Sequence, residues 1–323
     1  MAGDPKGGTL PRLALQRVDG KPYIVSEYNH AAPNTYTSET FPLVCAYAAL
    51  QDWDGIFAFA YSHRTNTWDQ GYFQSFFDID QHPTKMATLP ASAALWLRGD
   101  VQAAKTSAIA SISLSQAMEQ GRRGGPRIGA EHFGIQWQEA LIRRVGVHLA
   151  EGENFDARPA PAAGPLVSDT RELTWNSDGR VVTINTPRSK GLIGSLKGEA
   201  FELGDVTITP GKTKQNWATI QLTVLEGADF KTARRLLITT TGYAENTGMQ
   251  WKNAEMTSVG KDWGKKPSLV EGVPATVKLP TGGKLRAWAL DERGQRRGEI
   301  PVNEGALNVG PEHKTLWYEV AVE

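Results

Sequence analysis

The chain has 323 residues, and its 35 Lys and Arg balance 35 Asp and Glu, so no excess charge marks it for a polyanion or an acidic membrane surface. Hydrophobic residues at 40% and charged residues at 22% suit a globular protein with a large buried core and exclude a disordered one. No apolar run approaches the ~18–20 residues needed to cross a bilayer, so no membrane segment is expected.

The opening Met1 to Gly8 is polar and lacks the apolar stretch of a secretory signal, so the chain as it stands reads as cytoplasmic. Residues 13–18 and 22–26 read as two strands joined by an Asp19-Gly20 turn. Residues 37–53 read as a helix, with Ser38 as its N-cap and Leu43, Ala46, Tyr47 and Leu50 at helical spacing. Residues 55–61 form a continuous apolar run, the mark of a strand buried on both faces. A polar and aromatic loop over 62–82 leads to a helix over 83–97, with Met86, Leu89, Ala93, Ala94 and Trp96 on its apolar side. This alternation is the grammar of a parallel α/β unit and defines a first domain, 1–99.

The pattern then changes. A connecting region, 100–164, holds a β-branched stretch at 101–114, a short helix around 135–145 and an Ala/Pro linker at 158–164. Beyond it, strands are expected at 172–175, 180–186, 200–209, 218–225, 235–241, 275–279, 284–290 and 316–322. Turn signals at Asn176-Ser177-Asp178-Gly179 and Thr281-Gly282-Gly283 punctuate them, so 165–323 reads as an all-β sandwich.

Chemistry concentrates where the strand through Ile24 and Val25 ends on Glu27, followed at once by Tyr28, Asn29 and His30. Residues just past strand C-termini line the mouth of a parallel barrel, and a carboxylate on a rigid strand is held as a nucleophile must be. The next strand delivers Tyr61, His63 and Trp68 to the same rim. The simpler reading of each is structural: Glu27 pairing with a basic neighbour, His63 capping its loop, Trp68 packing beneath it. Core packing is likewise the first reading of the ten tryptophans.

Lys21 to His30, the Phe41-Pro42-Leu43 helix and Gln51 to Phe57 resemble the last third of a (β/α)8-barrel retaining glycoside hydrolase, in the clan that includes β-galactosidases and many endoglycosidases. Trp288 to Gly294 and Thr315 to Glu319 are similar to the terminal sandwich of such enzymes. The resemblance implies a truncated TIM-like barrel followed by a β-sandwich, with Glu27 as nucleophile and Tyr28, Asn29, His30, Tyr61, His63 and Trp68 as the sugar subsite. It implies a retaining β-glycosidase acting on β-galactosides or related β-glycosides. A whole barrel takes roughly 200–250 residues, and here about 100 precede the sandwich, so the first six strands and the family's acid/base Glu have no counterpart. For the second carboxyl group Glu39, Asp52, Asp54, Asp69, Asp78, Asp80, Glu131 and Glu139 stand equal. Truncation leaves an open inner face, for which another subunit or rearranged loops are the expected cover.

Other chemistries find little support. Gly121-Arg122-Arg123-Gly124-Gly125 lacks the spacing of a phosphate loop, and no G-x-S-x-G elbow is present. His30, His63 and His82 lack metal-ligand spacing, and Cys45 is the single cysteine, so neither a metal, a cofactor nor a disulfide is expected. No basic and aromatic stripe for nucleic acid appears. The partner expected is a carbohydrate. The alternative is a catalytically inactive barrel remnant whose sandwich binds carbohydrate through Trp175, Trp217, Trp251, Trp263, Trp288 or Trp317.

Overall fold

The computed structural model describes residues 1–6, 8–123, 128–151, 154, 155, 161, 163–280 and 283–323. Helix α1 (Thr9–Ala14) takes Leu13 and Ala14, the start of the first stretch expected as a strand, and residues 15 and 16 form a turn. Leu10 and Ala14 are buried at i,i+4 spacing, and this helical period overrides the alternation of Leu13 and Leu15. Val18 makes only a lone parallel bridge to Val147.

Strand β1 (Ile24–Tyr28), helix α2 (Thr40–Leu50), strand β2 (Gly55–Ala58) and helix α3 (Pro83–Leu97) follow, with β1 and β2 parallel. All eleven residues of α2 are buried. A 3-10 turn over Thr37–Glu39 precedes it, so Ser38 lies inside that turn and caps nothing. β2 is not the doubly buried strand its composition predicts: Phe57 and Ala58 are exposed, because nothing among the described residues covers that face.

Helix α3 starts at Pro83, whose fixed φ and missing N–H suit the first helical position. It buries Thr84, Lys85, Thr88 and Ser92 more deeply than the predicted Met86–Leu89–Trp96 side. These small polar side chains are accommodated because Thr88 Oγ1 donates to Thr84 O at 2.9 Å and Ser92 Oγ to Thr88 O at 2.7 Å.

Next come β3 (Ser107–Ile112), α4 (Leu114–Arg122), α5 (Glu139–Ile142), β4 (Arg144–Leu149) and β5 (Asn154–Phe155). β3 is parallel to β4 and antiparallel to β5. Ser113 and Gln116 form a capping box on α4. The helix expected around 135–145 is shorter, since α5 ends at Ile142 and β4 begins at Arg144. Residues 158–160 and 162 of the expected linker, and Thr281 and Gly282 of the expected turn, lie outside the described residues.

The remaining chain is antiparallel. Strands β6 (Leu166–Val167), β7 (Leu173–Asn176), β8 (Val181–Asn185) and β9 (Ser189–Ser195) form a meander. β10 (Phe201–Leu203) and β11 (Val206–Pro210) leave it, and β12 (Trp217–Glu226) and β13 (Arg235–Thr241) rejoin it. β14 (Ala244–Thr247) and β15 (Lys265–Val270) pair only with each other. After β16 (Ala275–Lys278) come β17 (Leu285–Leu290), β18 (Arg296–Ile300), β19 (Val302–Asn303), β20 (Ala306–Val309) and β21 (Trp317–Val322). The result is a nine-stranded sheet, β18-β17-β21-β13-β12-β9-β8-β7-β6, and a five-stranded sheet, β10-β11-β16-β20-β19.

Side-chain alternation sends the two faces of the large sheet to different cores. Val182, Ile193 and Trp217 join the helices, whereas Val181, Leu192 and Ala218 join Ile208, Val277 and Leu307 of the small sheet. Gly194, at φ +129°, passes so close to β8 that a Cβ there would lie 2.2 Å from the Arg180 carbonyl oxygen. Polar contacts tie α3 and its surroundings to the sheet: Gln221 Nε2 donates to Ser92 Oγ at 3.1 Å, and Thr219 Oγ1 to Ser38 O at 2.9 Å.

Candidate functional site

The end of β1 sets the geometry. Val25 lies opposite Ile56 and Tyr28 opposite Ala58, so three steps on β1 face two on β2. This bulge breaks the alternation: Val25 and Tyr28 both point inward, and Ser26 and Glu27 are both exposed. Glu27 therefore presents its carboxylate to solvent, and among the described residues no hydrogen bond or ion pair holds it.

Of the residues predicted to touch sugar, the same phase change buries Tyr28, and His30 just beyond the strand is half-buried. Tyr28 is 3% exposed, and its hydroxyl lies 3.3 Å from His30 Nε2. His30 Nδ1 is 3.9 Å from Glu39, which pairs with the Met1 amine and accepts from the Ala2 N–H at 3.1 Å. Lys85 Nζ donates to His30 O at 2.6 Å. Burial, helped by the Met1 amine and Lys85, pushes His30 down to about 3, so its imidazole is neutral. Burial also lowers Lys85 to about 7 and raises the Tyr28 phenol well above its ordinary value. Tyr28 and His30 thus brace the strand end from within, a correction to their expected place in the subsite.

Asn29 is likewise occupied. Its Nδ2 donates to Phe59 O at 2.7 Å and to Phe77 O at 2.5 Å, clamping β1 to the chain after β2. Tyr61 and Trp68 are exposed, 58% and 59%, with Phe76 and Phe77 exposed on the returning arm of the same loop. His63 stands between them with its ring edge-on to Phe59, centroids 5.4 Å apart.

Sequence reasoning missed what holds His63. Asp78, whose side chain is 4% exposed, has Oδ1 at 2.5 Å from His63 Nδ1, and the same oxygen accepts from the His63 backbone N–H at 3.2 Å. Arg64 donates to Asp78 Oδ2 at 3.4 Å and pairs with Asp80. Burial pushes the Asp78 carboxyl up, but the His63 and Ser75 hydrogen bonds outweigh it and bring the group below its ordinary range. With Nδ1 fixed, the half-exposed imidazole offers Nε2 to a ligand. No motif marks this pairing, since the partners stand fifteen positions apart across a loop.

Six of the eight carboxyl groups considered as acid/base have other work. Glu39, Asp78 and Asp80 are engaged as above; Asp52 pairs with Arg144, Asp54 accepts from the Tyr23 N–H, and Glu139 pairs with Arg143. Asp69 and Glu131 are exposed. Two clefts lie away from Glu27, which lines neither. One runs between Asn34–Tyr36 and residues 254–257, the other between α3 and the β17 and β21 ends. Of the tryptophans considered for a stacking platform, Trp175, Trp217 and Trp288 are buried, and Trp251, Trp263 and Trp317 are half-buried. Among the described residues no group of three His, Cys, Asp or Glu could hold a metal ion, and no helix is long and apolar enough to cross a membrane.

No protein-family model, no curated protein and no solved structure matches the chain.

Proposed function

We propose that the protein is a retaining β-glycosidase acting on β-galactosides or related β-glycosides, with Glu27 as its nucleophile. In this reading β1–α2–β2–α3 is the closing part of a TIM-like barrel and the two antiparallel sheets are its β-sandwich. The observation that supports it is the exposed Glu27 carboxylate, free of any partner among the described residues, at the end of a parallel strand. The exposed rings of Tyr61, Trp68 and Phe77, on the chain that follows β2, have flat faces of the kind that stack on a sugar ring.

Glu27 would attack the anomeric carbon while a second carboxyl group protonates the departing oxygen. Water would then release the sugar from the ester, the second group now taking a proton. Such pairs stand about 5–5.5 Å apart. The second group and the missing wall come, in this proposal, from a second copy of the chain laid over Ile24 and Phe57, which are 55% and 59% exposed. His63, held by Asp78, and Asn29, clamping Phe59 and Phe77, position the rim.

The test is nitrophenol release from β-galactoside and β-glucoside substrates. Glu27→Ala should lose on the order of 10⁴-fold in turnover, with azide restoring part of it as a replacement nucleophile. Equal turnover in both proteins would remove Glu27 from the reaction. Sugar binding without turnover in either would instead fit an inactive remnant with a carbohydrate-binding sandwich.

A further inference from the structure

The groove between the first half of α3 and the ends of β17 and β21 takes no part in the site above. One wall is Pro83, Met86, Leu89 and Pro90, and the other is Leu290, Leu316 and Trp317. Its volume, about 440 Å³, falls within the ~300–1,000 Å³ of small-molecule sites. The walls are fixed to each other and to their own turns. Trp317 Nε1 donates to Ala87 O at 2.9 Å, and Thr315 Oγ1 donates to Leu290 O at 2.5 Å.

Polar groups at the mouth are largely spoken for. Asp291 Oδ1 accepts from the Arg293 and Gln295 N–H groups at 2.9 and 2.8 Å. Arg297 donates to the His313 and Lys314 carbonyls at 3.2 and 3.4 Å. Asp80 differs. It lines the groove with a side chain only 3% exposed, and Oδ2 takes Arg64 and Gln81, yet Oδ1 is buried with no partner. A buried acceptor left unpaired is destabilising, and a bound donor would relieve it. A second acceptor lies on the same wall: Pro90 has no N–H for the Met86 carbonyl one turn earlier.

We propose that this groove binds a small neutral aromatic alcohol. The ring lies along Met86, Leu89, Leu316 and Trp317, and the hydroxyl donates to Asp80 Oδ1. A neutral ligand is favoured because Asp80 is already paired with Arg64, which Asp78 shares, and the mouth carries Arg297 and Lys314 against Asp291 and Glu292. The site does not depend on Glu27 or on the glycosidase reading.

Titration of the full chain with p-cresol and with toluene, followed by ligand-observed NMR, tests it. In the wild type p-cresol should bind about tenfold more tightly than toluene, since only p-cresol satisfies the acceptor. In Asp80→Asn, Arg64 holds the amide oxygen and the NH₂ replaces Oδ1, so the preference should fall about fivefold or more. Leu89→Trp fills the groove and should abolish both interactions with the melting temperature retained. If Asp80→Asn fails to fold, the ligand ratio and Leu89→Trp still decide. Absence of saturable p-cresol binding at millimolar concentration, equal affinity for toluene, or binding that survives Leu89→Trp would overturn the assignment.

Discussion

Asp78 holds His63 at two points, one carboxylate oxygen serving both the backbone N–H and ring Nδ1. A carboxylate in that place selects the Nδ1–H tautomer and leaves Nε2 as the ring's acceptor. Asp78→Ala should therefore release the ring to its Nε2–H form, seen as exchanged side-chain nitrogen shifts at high pH. It should cost about 2–3 kcal/mol of stability, because Arg64 loses a partner as well.

Stability should depend on pH at both ends of the scale. His30 is held near 3 against an ordinary 6.5, so between those values the unfolded chain binds a proton that the folded chain refuses. Stability should fall as pH drops from about 6.5, with His30 contributing up to about 1.4 kcal/mol per pH unit. Lys85 is held near 7 against 10.5, so its contribution rises as pH climbs from 7 toward 10.5. Urea unfolding of His30→Gln should show a shallower acid limb, and Lys85→Met a flatter alkaline one. Limbs identical to the wild type would show that neither group is desolvated.

Ile24 and Phe57 expose the uncovered face of the β1–β2 pair. If a second copy covers it, Phe57→Glu should weaken association by about 2 kcal/mol or more, through lost apolar burial and a buried charge. Sedimentation velocity would show a dimer in the wild type and a monomer in the variant. A wild type that stays monomeric at tens of micromolar would defeat this arrangement.

Much of the fold is legible in the sequence, for identifiable reasons. Pro83 and the length of the run that follows mark α3 to the residue, and the β-branched alternation of β12, β13 and β21 marks the sheet centre. β9 escapes notice because Gly191 and Gly194 interrupt its apolar run, whereas here they permit close approach to β8. The buried face of α3 is misjudged because Thr84, Thr88 and Ser92 look like surface residues until their hydroxyls are traced, Thr84 to the Thr37 hydroxyl and the other two to backbone carbonyls. At the candidate site the sequence marks Glu27, Tyr61 and Trp68 as rim residues. It cannot reveal that a bulge between Val25 and Tyr28 turns Tyr28 inward, because strand phase depends on the partner strand.

The larger core draws Ala2, Tyr47, Leu141, Trp175 and Trp217 into one cluster, and Trp175 Nε1 reaches back to the Ala2 carbonyl at 3.1 Å. The helical portion and the nine-stranded sheet are each other's lid. A genetic exchange with its junction near residue 165 would hand both recipients an unsealed greasy wall, so evolution is expected to pass this assembly on whole.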